Sequence, residues 1–447
     1  MLASPTIPTQ RPTPNVATMM TTSPVSPSTT KPYDIVAAAE ALLEDAKRLA
    51  ATIDQGGDDI PLRRKLAQSA RTFAVEASHP IEAVKDEWVT ASDIAVWSLL
   101  SSWKAFDLIP VTSPGYITVS DLSLKLNADE ALVTRLINHL IATSKLSPGP
   151  VPNSVSHSRL SPLYMSTNPV SDLAIIAVGN GFKAFFQWPE YFSRYGRREP
   201  PGQTHTPFSF AWGHPELPPW EVKALFPEYS GAFKRAMQAK NIFGGDIPIT
   251  GEGALYDVSW VGSKRTTVAR DGRGLRPKIV DVGGGMGQLL KELLGNVEGL
   301  APQECVLQDR PDVIAAVERL NDGGLEGVRV MSHDFHDAQV VKGAWVYVLR
   351  RILLDYSDAL AVNILKQVAE ALPDDDGEAR ALIVELKLFE GINPPQNTHV
   401  DLVMFNLGGK LRNEKMYRAL VEKAGLRVVK YHVRAGDPHC VVECAKA

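Results

Sequence analysis

Residues 280–287 read Val280-Asp281-Val282-Gly283-Gly284-Gly285-Met286-Gly287. An apolar run enters a glycine-rich turn, and a helix-like stretch follows it. Glycine lets the chain turn tightly and bring its backbone close to a ligand. Such a turn can cradle a nucleotide-type ligand, either NAD or S-adenosylmethionine. The dinucleotide fingerprint asks for a third glycine three residues after the second. Counted from Gly283 and Gly285, that position holds Gln288. A pyrophosphate also gains from the positive end of a helix. Asp281, just before the turn, suits a cationic ligand better.

Further carboxylates stand where two later strands should end. Asp309 closes residues 304–309 and can accept both hydroxyls of a ribose. Asp334 and Phe335 close residues 328–335 and can hold an adenine by hydrogen bond and by packing. A glycine-rich turn alone is a weak signal. Turn, ribose carboxylate and adenine pair on three successive strand ends together point to S-adenosylmethionine. Its expected contacts are Asp281, Gly283, Gly285, Gly287, Asp309, Asp334 and Phe335. The bland alternative is a degenerate nucleotide fold that binds nothing.

These residues need a scaffold of alternating elements, and the sequence supplies one. Strand-like runs at 278–283, 304–309, 328–335, 344–350 and 381–389 are interleaved with helix-like runs at 288–295 and 311–320. Residues 426–447 read as a helix exit and a hairpin. Alternation of this kind predicts an α/β, Rossmann-like domain over 251–447, its sheet mostly parallel with helices on both faces.

The N-terminal part is different. Residues 33–80 carry apolar groups at helical spacing. The spacing next predicts one apolar helix from Ala91 to Ile109, burying Trp97, Leu100 and Trp103. A short strand follows at Ile117–Val119, then Ser120 and Asp121 as helix caps. A second helix sets Leu132, Leu136 and Leu140 on one face, and a wing ends near residues 160–164. This is the order of a winged helix, assigned to 33–175. Arg135 is the one base-reading cation on its second helix, so the apolar face reads as a dimer interface, not a nucleic-acid surface. Residues 176–250 form a connector rich in aromatics, among them Phe185, Phe186, Trp188, Tyr191, Phe192, Phe208, Phe210 and Trp212. Most should be core, and some should line an apolar ligand pocket.

Composition narrows the classes. The chain has 447 residues, 44% of them hydrophobic and 22% charged, with a formal net charge of −4. No basic excess points to nucleic acid or an anionic membrane. No apolar run approaches the ~20 residues that span a bilayer. Cys305, Cys440 and Cys444 give neither a metal cluster nor a disulfide framework, so reduced thiols in the cytoplasm are expected. Residues 1–32, rich in Ser, Thr and Pro, lack the apolar core of a secretory signal and are expected to be a disordered tail.

With these motifs in place, residues 85–447 resemble the plant- and fungal-type small-molecule O-methyltransferases, which use S-adenosylmethionine and pair through a winged-helix domain. The matching segments include Leu349-Arg350-Arg351-Ile352-Leu353-Leu354-Asp355-Tyr356 and Asp401–Arg412. The resemblance implies that Arg350 takes the place of a cofactor-contacting cation, that Met404 faces the substrate, and that the protein is a homodimer. Core packing is the plainer reading of Met404.

Two positions depart from the family. Its general base is a histidine immediately before the aspartate, and here Leu354 stands there. Its partner glutamate, just before the arginine, is replaced by Leu411. The third member matches Glu385. A phenol with a pKa near about 10 is a poor nucleophile at neutral pH until a base takes its proton, and leucine takes none. An intact cofactor motif beside a missing base is similar to the fungal O-methyltransferase-like pericyclases, which steer dehydration and cycloaddition without methyl transfer. The expected activity is therefore cyclisation of a polyketide or pyridone alcohol, helped by the cofactor's charge. The alternative is methyl transfer to an unusually acidic hydroxyl, such as an enol or hydroxypyridone. A cofactor-binding pseudoenzyme is a further reading. Asp355 is either a pocket-orienting group or a helix-start residue. His157, His205 and His214 read as surface or capping residues, and Lys410 and Arg412 as solvated or in contact with loop backbone.

Overall fold

In the computed structural model, seven strands form one sheet in the order β6-β5-β4-β7-β8-β10-β9. They are β4 (Ile279–Val282), β5 (Cys305–Asp309), β6 (Arg329–Ser332), β7 (Val346–Arg350), β8 (Arg380–Leu386), β9 (Leu426–Val433) and β10 (His439–Lys446). Strands β6, β5, β4, β7 and β8 run parallel. Strand β10 lies antiparallel to both β8 and β9. All four residues of β4 are buried, as a central strand covered on both faces must be. Helices α12 (Gln288–Asn296), α13 (Pro311–Leu320), α14 (Asp358–Ala369), α15 (Pro395–Asn406) and α16 (Glu414–Lys423) complete this half. One apolar cluster joins Val280, Tyr347, Ile383 and Val442 to Ile364, Leu365 and Leu420. Another packs Ile279, Leu307, Val346 and Leu382 against Leu289, Leu290 and Leu293. The α/β expectation holds, strand for strand.

Residues 33–113, 115–238, 249–268, 274–320, 323–374 and 377–447 are described by the structure. The N-terminal tail and the last ten connector residues before 249 lie outside them. The chain divides into units Met1–Ser92 and Asp93–Ala447. The first holds α1 (Ile35–Asp54) and α2 (Ile60–Ala77), N-capped by Asp34 and Asp59. Helix α3 (Pro80–Ser102) begins in this unit and ends in the second.

In the second unit come β1 (Tyr116–Thr118), α4 (Val119–Leu126), α5 (Glu130–Ala142), β2 (Leu146–Pro148) and β3 (Ser154–His157). The three strands form an antiparallel sheet in the order β1-β3-β2. Several sequence expectations need correction here. The helix drawn from Ala91 to Ile109 stops at Ser102, where Lys104 takes a left-handed φ of 54° and a 3-10 turn, Ala105–Leu108, follows. Trp97 and Leu100 do bury, in a core shared with Phe106 and Ile109, and Trp103 packs against it partly buried. Helix α4 is capped by Thr118, whose hydroxyl accepts from Asp121 N, and not by Ser120 or Asp121. On α5 the buried ridge is Val133, Ile137 and Leu140, while Leu132 is 43% exposed. The ridge takes Val133 and Ile137 in place of Leu132 and Leu136 and keeps Leu140, which turns Leu132 to solvent.

The connector is a chain of short helices: α6 (Pro169–Ile176), α7 (Lys183–Phe185), α8 (Trp188–Tyr195), α9 (Pro207–Ala211), α10 (Pro219–Ala224) and α11 (Pro227–Gln238). A π-helical turn, Ala177–Phe182, links α6 to α7. Among the described residues, no helix is long and apolar enough to cross a membrane. All three cysteines are buried and unpaired.

Candidate active site

The glycine turn leaves the carboxyl end of β4, where ligands bind in open α/β sheets. Gly283, Gly285 and Gly287 have φ of 70°, 59° and 75°, a region that disfavours side chains. The turn is also a cradle that a Cβ would fill. At Gly283 it would lie 2.6 Å from Ile352 Cδ1 and 3.3 Å from Phe335 Cε1. At Gly284 it would lie 2.3 Å from Asp281 Oδ2. That same Asp281 oxygen is buried with no hydrogen-bond partner among the described residues. Burial pushes the Asp281 carboxyl up to about 7, against the pull of Arg350. A cationic ligand is what such a carboxylate lacks.

Asp309 ends β5 beside the turn. Its Oδ2 accepts from Gly285 N at 2.8 Å and its Oδ1 from Arg310 N at 2.8 Å. Burial raises its pKa, and these two N–H groups oppose the rise. Each carboxylate oxygen keeps a lone pair for a ribose hydroxyl. Beyond β6, Asp334 Oδ1 accepts from His336 N. The Phe335 ring meets Tyr356 edge-on at 5.7 Å. Arg350, at the end of β7, lies 3.9 Å from Glu292. The structure thus brings all eight expected cofactor contacts to the carboxyl ends of four adjacent parallel strands, and their chemistry fits a cationic nucleoside ligand.

Leu354, expected at the family's base position, lies on the turn after β7. Arg351 takes a left-handed φ of 56°, and a 3-10 turn, Leu353–Asp355, follows. Leu354 and Leu411 are both buried. Glu385, on β8, is fully buried, and its Oε1 accepts from Ile352 N at 3.0 Å and Leu353 N at 2.8 Å. Burial pushes this carboxyl up to about 8, so it is largely protonated at neutral pH. Arg412 is completely buried; Nη1 donates to Leu353 O and Nη2 to Tyr356 O, each at 2.8 Å. Gly409 packs so closely that an added Cβ would lie 2.0 Å from Leu354 O. Glu385 and Arg412 together clamp the backbone of this turn.

The connector closes the other side. Trp188 Nε1 donates to Asn406 Oδ1, and Asn406 Nδ2 donates to Asn180 O in the π-helical turn. Phe185, Trp188 and Phe405 form a run of edge-on rings, with His399 6.0 Å from Phe185. Met404 packs against the cluster of Phe208, Val222, Tyr229 and Leu407. Gln203 Nε2 donates to Asp355 O. His157 joins Ser161 and Ile109 O, and His205 pairs with Glu216, so these two histidines serve local structure.

Lys223 escaped the sequence reading. It lies on α10, is 4% exposed, and its Nζ has no hydrogen-bond partner among the described residues. The ammonium sits 4.0 Å from the Trp220 ring centroid and 4.3 Å from that of Phe233. Burial pushes its pKa down to about 8, and the Asp355 charge opposes that fall. No periodicity or motif marks this lysine; only the fold brings it against these rings.

A cradle for a cationic nucleoside, on the strand ends of a mostly parallel sheet, defines an S-adenosylmethionine-dependent enzyme. Comparison with known proteins agrees. A family model described as O-methyltransferase domain matches residues 254–427. Methyltransferase cfoD of Aspergillus candidus is 37% identical over 396 residues, covering 88% of this chain and 94% of its own. Among solved structures, OxaC has a TM-score of 0.78 at 19% identity, covering 92% of this chain and 99% of its own. LepI in complex with SAM has a TM-score of 0.74 at 22% identity, covering 92% and 100%. A structure described as a pericyclic reaction enzyme has a TM-score of 0.73 at 21% identity, covering 92% and 99%. The chain belongs to the O-methyltransferase family. S-adenosylmethionine is its cofactor.

Proposed function

We propose that this protein transfers a methyl group to an unusually acidic hydroxyl, such as an enol or hydroxypyridone, of a polyketide-type fungal metabolite. One observation carries the reading: the cofactor cradle is complete, while Leu354 and Leu411 are apolar and Glu385 is spent on Ile352 and Leu353. When bound, the cofactor supplies an electrophilic methyl group on a permanent positive charge. A hydroxyl that is already partly ionised meets it without the family's histidine. The ring-lined wall of Phe185, Trp188 and Phe405 excludes water from the apolar body of such a metabolite. The name of cfoD, at 37% identity, favours methyl transfer.

Dehydration and cyclisation without methyl transfer is the second reading, and the sequence alone put it first. The same two leucines favour it, since a positive charge in a dry cleft polarises a carbonyl or quinone methide without any base. The likeness to a pericyclic reaction enzyme is one of fold, at 21% identity, and is weaker support than cfoD.

Methyl-labelled cofactor separates the two. Enolic and hydroxypyridone acceptors should take up label with one S-adenosylhomocysteine formed per product. Loss of water with no label, supported by the cationic analogue sinefungin but not by neutral S-adenosylhomocysteine, would replace this reading with the cyclase. Cofactor binding with neither change would leave a binding protein.

We also read the β1-β3-β2 sheet with α4 and α5 as the winged-helix unit of a homodimer acting in the cytoplasm on a small molecule, with no nucleic-acid partner. Light scattering at micromolar concentration should give a mass near twice 48.7 kDa, and a monomer would contradict it.

A further inference from the structure

The turn that carries Leu354 has its carbonyls from Leu353 to Tyr356 all engaged. Arg412 donates to Leu353 O and Tyr356 O, and Lys410 N donates to Leu354 O at 2.9 Å. Those bonds come from residues 410–412. The remaining carbonyl, Asp355 O, accepts from Gln203 Nε2 at 3.2 Å. Gln203 belongs to the connector segment between α8 and α9. In the same segment Gly202 O packs on Gly408, where an added Cβ would lie 2.9 Å from it. Glu199 Oε2 pairs with Lys410 Nζ at 2.6 Å. The segment therefore touches both stretches of chain that hold Leu354 and Leu411.

It is tied firmly at its ends and lightly between them. Gly196 and His205 have positive φ of 83° and 55°. His205 N donates to Pro215 O at 2.6 Å, and His205 O accepts from the Tyr191 hydroxyl at 2.8 Å. Between these ends, among the described residues, the backbone of 197–204 makes one hydrogen bond, Arg198 N to Gly196 O. Of residues 197–204 only Pro200 is buried. The Glu199–Lys410 pair holds weakly, since the Glu199 side chain is 65% exposed. Gln203 Oε1 is buried with no hydrogen-bond partner among the described residues, which costs desolvation in the closed position. A stretch with so few protected bonds opens at low free energy.

The Leu354 turn joins this segment to the cofactor cradle. Ile352 borders Gly283, where an added Cβ would lie 2.6 Å from Ile352 Cδ1. The 3-10 turn Leu353–Asp355 follows, and Asp355 N donates to Ile352 O at 3.2 Å. One end of a clamped turn meets the cradle, and its other end meets Gln203.

We propose that residues 196–205 form a strap, hinged at Gly196 and His205, whose closure over the Leu354 turn is coupled to cofactor binding through Ile352 and the Gln203–Asp355 bond. A ligand seated on the glycine turn restrains Ile352, and the turn passes that restraint to Asp355 O. The Gln203 bond then forms more often, and the strap closes on the loaded enzyme. Closure shields this side of the cleft from water. The coupling depends on the cofactor and on neither of the two reactions considered for it.

Trypsin cleavage of the full-length protein after Arg197 and Arg198, followed by mass spectrometry, tests the coupling. When cutting is slower than reclosing, its rate follows the population of the open strap. Saturating S-adenosylhomocysteine should slow cleavage at these two sites by about threefold or more. Lys410→Met should speed it about twofold or more without ligand, as loss of one exposed ion pair predicts, and Lys410→Arg should restore the wild-type rate. Gln203→Leu should be cut faster than wild type and should lose the protection by S-adenosylhomocysteine. It should still bind that ligand within about threefold of wild type by calorimetry, which shows that the variant is folded. Absence of cutting at either site, equal rates with and without S-adenosylhomocysteine, a wild-type rate in Lys410→Met, or undiminished protection in Gln203→Leu overturns the proposal. None of these readouts requires turnover, so their failure is distinct from failure of the labelled-cofactor assay.

Discussion

Glu385 and Arg412 grip one turn from opposite sides. Glu385 takes the backbone N–H groups of Ile352 and Leu353, and Arg412 gives to the carbonyls of Leu353 and Tyr356. The turn between them carries Leu354 and Asp355. It also presents Ile352 to Gly283, so the clamp sets both one side of the glycine turn and the placement of Leu354.

Arg412→Met should destabilise the protein by about 2–4 kcal/mol, because two buried carbonyls lose a charged donor. The ion pair with Asp358 adds little, since that aspartate is exposed and its charge is screened. Urea denaturation checks this, and a loss under about 1 kcal/mol would mean that water or a neighbour replaces the clamp.

Glu385→Gln keeps an acceptor for both N–H groups. The native carboxyl is raised to about 8, above its ordinary value of 4.5, so the folded state binds more protons than the unfolded state between those values. Its contribution to stability is therefore full below about pH 4.5 and is lost as pH rises through 8. Relative to wild type, the Gln variant should gain stability from pH 5 to pH 9. A difference that is flat across that range would show a carboxyl ionised throughout.

Asp309→Ala should weaken cofactor binding by about 1.5–3 kcal/mol, the loss of charge-assisted hydrogen bonds. Part of that loss is indirect, because Asp309 also fixes Gly285 N. Calorimetry with a parallel melting curve reads both, and unchanged affinity in a folded variant would remove Asp309 from the site.

Gly284→Ala needs no unusual φ, yet its Cβ would meet Asp281 Oδ2 at 2.3 Å and Leu307 Cδ1 at 2.5 Å. Overpacking of this kind costs about 1–3 kcal/mol. Displacing Asp281 should also lower cofactor affinity at least tenfold. Retention of both stability and affinity would show that the cradle gives way.

Leu411→Glu alone should destabilise by several kcal/mol, since it buries a carboxyl among apolar groups. Leu354→His beside it should recover part of that loss by pairing, a coupling of about 0.5–3 kcal/mol in a double-mutant cycle. Glu385 is already engaged with backbone, so the double variant should gain at most slow transfer to simple phenols. Fast transfer would show that Glu385 can leave the clamp.

Much of the site was legible in the sequence because its signals are local. The glycine turn and Asp309 each end a strand and the Asp334–Phe335 pair follows one closely, and strand period together with flanking glycines places such ends. That Leu354 and Leu411 stand where the family has a base and its partner is implied by the resemblance of the two segments that hold them. Other features depend on contacts between distant segments. Glu385 reaches Leu353 across 32 positions, Arg412 reaches the same residue across 59, and Gln203 reaches Asp355 across 152. That Glu385 holds the backbone of the 352–353 turn is seen only in its hydrogen bonds. A lysine on a short connector helix reads as a solvated charge until three rings close over it. The α5 ridge takes Val133 and Ile137 in place of Leu132 and Leu136 for the same reason: periodicity gives the existence of an apolar face, while the packing of neighbouring elements decides which residue lies at its centre. Residue type and spacing pointed to the cofactor, and resemblance to the family pointed to the missing histidine; only the tertiary structure decided which buried charges hold backbone, because those bonds join segments far apart in the chain.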